Sequence, residues 1–368
     1  MHKKIIFLSF LLLLFQNASA SPINVVLVSP SSQGDIFWSQ VTEITKASAE
    51  DLNVNLKVHY NIGNRVLLDE LLSKIIASTT KPDYIIFLPF GGNIERTFNT
   101  LEQAKISFVT IERTYEQHLH IKSIGKPLGK FKHWIGEVFF DNFKAGELLA
   151  QSLYRHASKL LTKNSETYQT VGLSGSFHPG STRRSDGLLK FSKLAPIDVK
   201  QVVYTNWQKE IAKDKLRKLI SRYDKPDIIW CASDLNAIGS LEVIKDLNLK
   251  PNQDVVIGGF DWTPLALKKI QQNQLTASVG GHLFQGAMAL IKVFDYHHGI
   301  DNFNRNTDNQ GYLLELIDIS NINQYEQLTL QNNQWQSVDF SIFSSTKQKQ
   351  PTPFNTLNIL KSLNNSSN

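Results

Sequence analysis

The constraint that narrows the fold most is a pattern that occurs twice. Continuous apolar runs alternate with amphipathic helical segments, first in residues 23–112 and again in residues 168–260. "INVVLVS" (23–29), "NLKVHY" (55–60), "DYIIFLP" (83–89) and "ISFVTIE" (106–112) form the first set. They are short, rich in Val, Ile and Phe, and do not alternate apolar with polar, so they read as strands buried on both faces of a parallel sheet. Between them lies "RVLLDELLSKIIAS", whose leucines and isoleucines share one face of a helix. "YQTVGLSG" (168–175), "DVKQVVY" (198–204), "DIIWCAS" (227–233) and "DVVIGGF" (254–260) repeat the theme, with helices expected at 184–194, 208–222 and 234–247. The expected fold is α/β, with two Rossmann-like lobes built on parallel sheets and a cleft between them.

The ends of the chain set its compartment and extent. "MHKKIIFLSFLLLLFQNASA" has a basic start, an apolar run of about 11 residues, too short to span a bilayer, and a small-residue ending. Residues 1–20 are therefore expected to be a secretory signal peptide, which places the mature protein in the periplasm of a Gram-negative cell. About 348 residues then remain, more than one core usually holds. The expected lobes are discontinuous: 21–140 plus 283–311, and 141–282 plus 312–345, with crossings near 136–142, 280–283 and 300–312. The Asn-, Gln- and Ser-rich residues 346–368 are expected to be a disordered tail.

Composition removes several classes of function. Cys231, the only cysteine, lies in an apolar run, so no internal disulfide or cysteine metal cluster is possible. The formal charge of +6 falls to roughly +4 once Lys3 and Lys4 leave with the signal, and it is dispersed, so no nucleic-acid partner is implied. No cofactor is expected. His118 with His120, and His297 with His298, have no carboxylate or cysteine at ligand spacing beside them. "GSFHPGST" (175–182) approaches a phosphate loop but has Ser181 where the lysine belongs. It reads better as a loop leading Arg183 and Arg184 toward a ligand.

Ligands of open parallel sheets bind outside the carboxyl ends of the strands. Collecting those ends gives Asp35, Phe37 and Trp38; Glu112 and Arg113; Arg184; Trp207; Ser233 and Asp234; Asp261 and Trp262; and His282. Aromatic faces beside planar donors and carboxylates suit a neutral sugar: rings cover its C–H faces, while Arg and Asp or Glu hold pairs of hydroxyls. Asp234 fits a helix N-cap better than a contact, and Trp262 either faces the ligand or packs over its turn. In "VVIGGFDWTP" (255–264) the two glycines are expected to make a tight turn that presents Asp261.

Over residues 23–320 the chain resembles the type 1 periplasmic solute-binding proteins, the ribose-binding and lactose-repressor-core family. "VSPSSQGDIFW", "FVTIERT", "IGEVFFDNFKAGELLAQSL", "GSFHPGSTRRSDGL", "ASDLNAIGSLEVI" and "VVIGGFDWTP" carry the resemblance. It implies ligand contacts at the aromatic pair Phe37 and Trp38, at Glu112 with Arg113, at Arg184 ahead of Gly187, at Trp207 and at Asp261. Glu112 stands where the family has aspartate, Ser233 where ribose binders have asparagine, and Gly281 with His282 where a glutamine is common, so the ligand is expected not to be ribose. The resemblance implies a monomeric, non-catalytic receptor whose closed form is read by a membrane partner, an ABC importer or a signalling sensor. "SVGGHLFQGAMALIKVFDYHHG" is also similar to exported receptors that serve signalling. The alternatives are an exported sugar-acting hydrolase using cleft carboxylates such as Glu112 and Asp261, and a signalling receptor for a non-sugar small molecule. A transcriptional regulator with the same core would need a helix-turn-helix before the first strand.

Overall fold

The computed structural model describes residues 22–113, 122–161, 167–305, 311–330 and 334–365. The expected signal peptide, His118 and His120 lie outside them. Two sheets organise the chain. The first has the strand order β2-β1-β3-β4-β5, from β1 (Asn24–Ser29), β2 (Asn55–Tyr60), β3 (Tyr84–Phe87), β4 (Ser107–Ile111) and β5 (Trp134–Val138), all parallel. The second has the order β11-β10-β9-β8-β6-β7, from β6 (Tyr168–Ser174), β7 (Ile197–Tyr204), β8 (Ile228–Cys231), β9 (Val256–Phe260), β10 (Ala277–Gly280) and β11 (Glu315–Asp318). Only β11 runs antiparallel to its neighbour.

Central strands are buried along most of their length, as their Val, Ile and Phe content requires. The edges β2 and β7 differ: most of their residues are only partly covered, so they are not the doubly buried strands their apolar content implied. β5 was not anticipated as a strand. It closes the first sheet beside β4, with Trp134 and Ile135 buried.

The helices α1 (Ile36–Asp51), α2 (Arg65–Ile76), α3 (Ile94–Ala104), α4 (Asn142–Leu160), α5 (Pro179–Phe191), α6 (Lys209–Tyr223), α7 (Asp234–Asp246), α8 (Pro264–Gln271) and α9 (Gln285–His297) cross between strands or pack on the sheets. After β10 the chain returns to the first sheet, where α9 packs on α1 and against β3, β4 and β5. It then passes back to pair β11 with β10. At the crossing, Tyr312 N donates to the Phe139 carbonyl and Asp141 N to the Tyr312 carbonyl, both at 2.9 Å.

The C-terminal segment corrects two expectations. Residues 346–365 are no loose tail: α10 (Thr356–Asn365) buries Ile359, Leu360 and Leu363. Nor does the preceding stretch pack on one lobe. The 3-10 segment Ile322–Thr329 lies on α8 and β11, whereas Gln334–Ser337 and Phe340–Phe343 lie on α1. Apolar residues dispersed among Asn and Gln carry this packing: Trp335 meets Phe284 edge to face at 5.6 Å, and Tyr325 lies 5.5 Å from Trp262.

Candidate functional site

A cleft of about 620 Å³ opens where the carboxyl ends of both sheets converge. The first sheet contributes Asp35, Phe37 and Trp38 after β1, Ile62 after β2, Phe90 after β3 and Glu112 after β4. From the second come Ser176, His178 and Arg184 after β6, Trp207 after β7, Ser233 after β8, Asp261 after β9 and His282 after β10. Of the twelve residues singled out in the sequence, nine therefore line one cavity, and Arg113, Asp234 and Trp262 do not.

Arg184 sits at its centre, on α5 and buried. Its Nε donates to Asn142 Oδ1 at 2.8 Å and its Nη1 to the Ala232 carbonyl at 2.8 Å. Nη1 also lies 3.6 Å from Asp261 Oδ1, and Nη2 lies 3.3 Å from His282 Nε2. The guanidinium stands 4.5 Å above the Phe260 ring centroid, a cation–π arrangement that further fixes its plane. His282 Nε2 is 3.1 Å from Asp261 Oδ1, and its ring lies 4.6 Å from that of Phe37, on the α1 helix that follows β1 of the other sheet. Its Nδ1 is buried with no hydrogen-bond partner. Trp207 Nε1 donates to Ser176 Oγ at 2.9 Å, which holds the indole along the cleft wall.

Left-handed backbone recurs along the cleft wall, as it does at several helix ends elsewhere. Ile62, Glu112, Asn206, Trp207 and Asp261 all have left-handed φ, with values of 48°, 58°, 53°, 63° and 105°. Such conformations are costly for residues other than glycine, and they cluster where side chains must be aimed at a ligand. Asp35 and Ser233 line the cleft while capping helices: Asp35 Oδ1 accepts from Trp38 N at 2.8 Å, and Ser233 Oγ from Asn236 N at 3.3 Å. His178 caps α5 in the same way, its Nδ1 accepting from Gly180 N at 3.1 Å. Burial, with Arg184 nearby, pushes its pKa down to about 4.

Three expected contacts are supports instead. Arg113 is not among the lining residues: its guanidinium lies 3.3 Å from the Phe139 ring centroid, and its Nη2 pairs with the Glu137 carboxylate. Asp234 is wholly buried beneath the turn after β9. Its Oδ2 accepts from Thr263 N at 2.7 Å and Thr263 Oγ1 at 3.0 Å, and its Oδ1 from Ser278 Oγ at 2.8 Å. Burial and the nearby Asp261 push its carboxyl well above the usual range. Trp262 is fully buried, donating from Nε1 to the Ser278 carbonyl at 3.0 Å.

Arg183 also points away, exposed and 5.2 Å from the Phe143 ring centroid. The glycines before Asp261 do not make the turn. Gly258 and Gly259 belong to extended β9, and their missing Cβ atoms admit Leu149 at 2.8 Å and the Asp234 carboxylate at 2.5 Å. The turn itself falls on Asp261 and Trp262. Asn142 and His178 went unrecognised in the sequence. Each had a readable signal, Asn142 beginning the helix after a crossing and His178 preceding Pro179 at a helix start.

A family model described as a periplasmic binding protein domain matches residues 25–294, which take in every strand but β11 and every strand-end residue of the cleft. The chain belongs to this family. No curated protein sequence matches it. Among solved structures, this binding protein is similar to a periplasmic sugar-binding protein from Pseudomonas fluorescens, with 22% identity over 92% of this chain and 98% of that one and a TM-score of 0.77. It is also similar to an ABC transporter periplasmic solute-binding protein from Actinobacillus succinogenes with bound D-allose, at 19% identity, 83% and 100% coverage and a TM-score of 0.69. A Caulobacter myo-inositol binding protein, bound to myo-inositol, matches at 17% identity, 86% and 99% coverage and a TM-score of 0.68. At these identities the likeness establishes the fold, two α/β lobes of the type 1 periplasmic binding proteins.

Proposed function

We propose that this chain is an exported, non-catalytic receptor that binds a sugar or sugar-like molecule in the cleft and presents its closed form to a membrane partner, an ABC importer or a signalling sensor. The observation that carries the reading is the fixed planar donor Arg184, set beside Asp261 and between aromatic faces contributed by both sheets. Phe37, Trp38 and Trp207 supply the faces against which a ring's C–H surface packs. Arg184, Asp261, Glu112, Ser233 and His282 supply donors and acceptors for its hydroxyls. Because the contacts come from both lobes, they are complete only when the lobes close. A ligand drives closure by just that difference in affinity. The periplasmic location rests on the family and on the signal-like residues 1–20.

A thermal-shift screen of the mature protein against sugars and polyols, with amino acids and small amides as controls, tests the proposal. A ligand at 100 times its Kd should stabilise the protein by about 2.7 kcal/mol, and chromatography should recover it unaltered. A rise in melting temperature with an amino acid or amide alone would remove the sugar class, and a product released from a bound sugar would remove the non-catalytic reading.

A further inference from the structure

The charge balance of the cleft differs from the one the sequence implied. On paper, Arg113 and Arg184 both oppose the cleft carboxylates. In the structure Arg113 pairs with Glu137 and lies over the Phe139 ring, and it is not among the residues that line the cavity. Among the described residues that line the cleft, the acids are then Asp35, Glu112 and Asp261, and the one permanent cation is Arg184. His178 adds no charge near neutral pH, since burial holds it neutral and its Nδ1 accepts a backbone hydrogen bond.

The three carboxylates are not equivalent. Asp35 uses one oxygen on the α1 cap, and Asp261 meets Arg184 and His282. Glu112 N donates to the Val138 carbonyl at 2.9 Å, but its carboxylate has neither a hydrogen bond nor an ion pair among the described residues, and the residue lines the cleft just after β4 with a left-handed backbone, φ 58°. When the lobes close, this carboxylate loses water. Hydroxyl groups satisfy its lone pairs but leave the charge buried, whereas an ammonium supplies hydrogen bonds and neutralises it. An anionic ligand would add to the excess.

Resting on the sugar-binding reading, we propose that the ligand is a cationic sugar or polyol whose protonated amine lies against Glu112, and that uronic acids and sugar phosphates are excluded. Calorimetric titration of the mature chain with matched sets decides this. Each set holds glucose, galactose or mannose, its 2-amino and 6-amino forms, its 2-acetamido form and its uronate, at a pH where the amines are protonated. The predicted result is an amino sugar that binds about tenfold or more tightly than its neutral parent and its acetamido form, with no uronate bound. In Glu112→Gln, checked for folding by its melting curve, that preference should shrink to within about threefold.

A neutral sugar that binds as well as its amino form, or an amine preference that survives in folded Glu112→Gln, overturns the cation proposal and leaves the sugar-binding reading standing. If Glu112→Gln does not fold, the ranking on the parent protein decides alone. Should no carbohydrate bind, with or without an amine, the sugar-binding reading fails and this inference fails with it.

Discussion

Arg184 is fixed at Nε and Nη1 by Asn142 and the Ala232 carbonyl, leaving its remaining N–H groups directed toward Asp261, His282 and the cleft. Such a donor loses little freedom when a ligand arrives. Arg184→Ala is expected to weaken binding by about 2–5 kcal/mol, measured by calorimetry, since it strips a buried partner from Asp261 as well as from the ligand. Arg184→Lys should recover little of this, because a point charge cannot reproduce the planar fork. His178 predicts an acid sensitivity. Its folded pKa, about 4, lies below the unfolded value near 6.5, so its neutral form is the native one. Stability should be complete above about pH 6.5 and fall as pH drops toward 4, by up to about 3 kcal/mol, and His178→Asn should flatten that part of the denaturation profile. At this scale the sequence located polar strand ends but not their direction. Arg113 and Arg184 look alike in the sequence. What separates them is that Phe139 and Glu137 lie within reach of one, and Asn142 and Ala232 within reach of the other.

Close approach between elements sets where the cleft residues stand. α4 and α5 cross through Gly146 and Gly187, where an added Cβ would lie 1.9 Å from the Arg184 carbonyl oxygen and 2.2 Å from that of Phe143. Gly187→Ala should push α5 outward, costing roughly 1–3 kcal/mol of stability and weakening binding because Arg184 rides on that helix. Gly175→Ala aims at one wall only. Its Cβ would fall 2.1 Å from the Trp207 ring, so the expected result is weaker binding with a smaller loss of stability, read by comparing calorimetry with melting curves. Strand and helix identities followed from periodicity, because a buried strand needs unbroken apolar residues and few other elements do. β5 escaped that test: "WIGEV" is short, contains a glutamate and follows the polar "LGKFKH". The partial exposure of β2 and β7 was equally hidden, since strand order, and not composition, decides which strand is an edge.

On the scale of the molecule, the C-terminal segment fastens elements of both lobes. Phe340 N donates to Asp51 Oδ2 at 2.6 Å on α1, the Asp295 carboxylate of α9 accepts from Ser344 Oγ at 2.6 Å, and Ile322–Thr329 packs on α8. Removing residues 321–368 would uncover Trp262 and Phe284, and should lower the melting temperature by about 10 °C or more. The two-lobe plan was legible from the repeated strand–helix alternation. This segment was not, because its buried residues are too widely spaced among polar ones to show a period. The cleft that the lobes enclose is tested most directly by titrating intrinsic tryptophan fluorescence with sugars and amino sugars, since Trp38 and Trp207 both line it. The account predicts a saturable change in emission with at least one such ligand, and its loss at the same concentrations in Arg184→Ala. Emission that no carbohydrate alters, or a titration that is identical in Arg184→Ala, would contradict it.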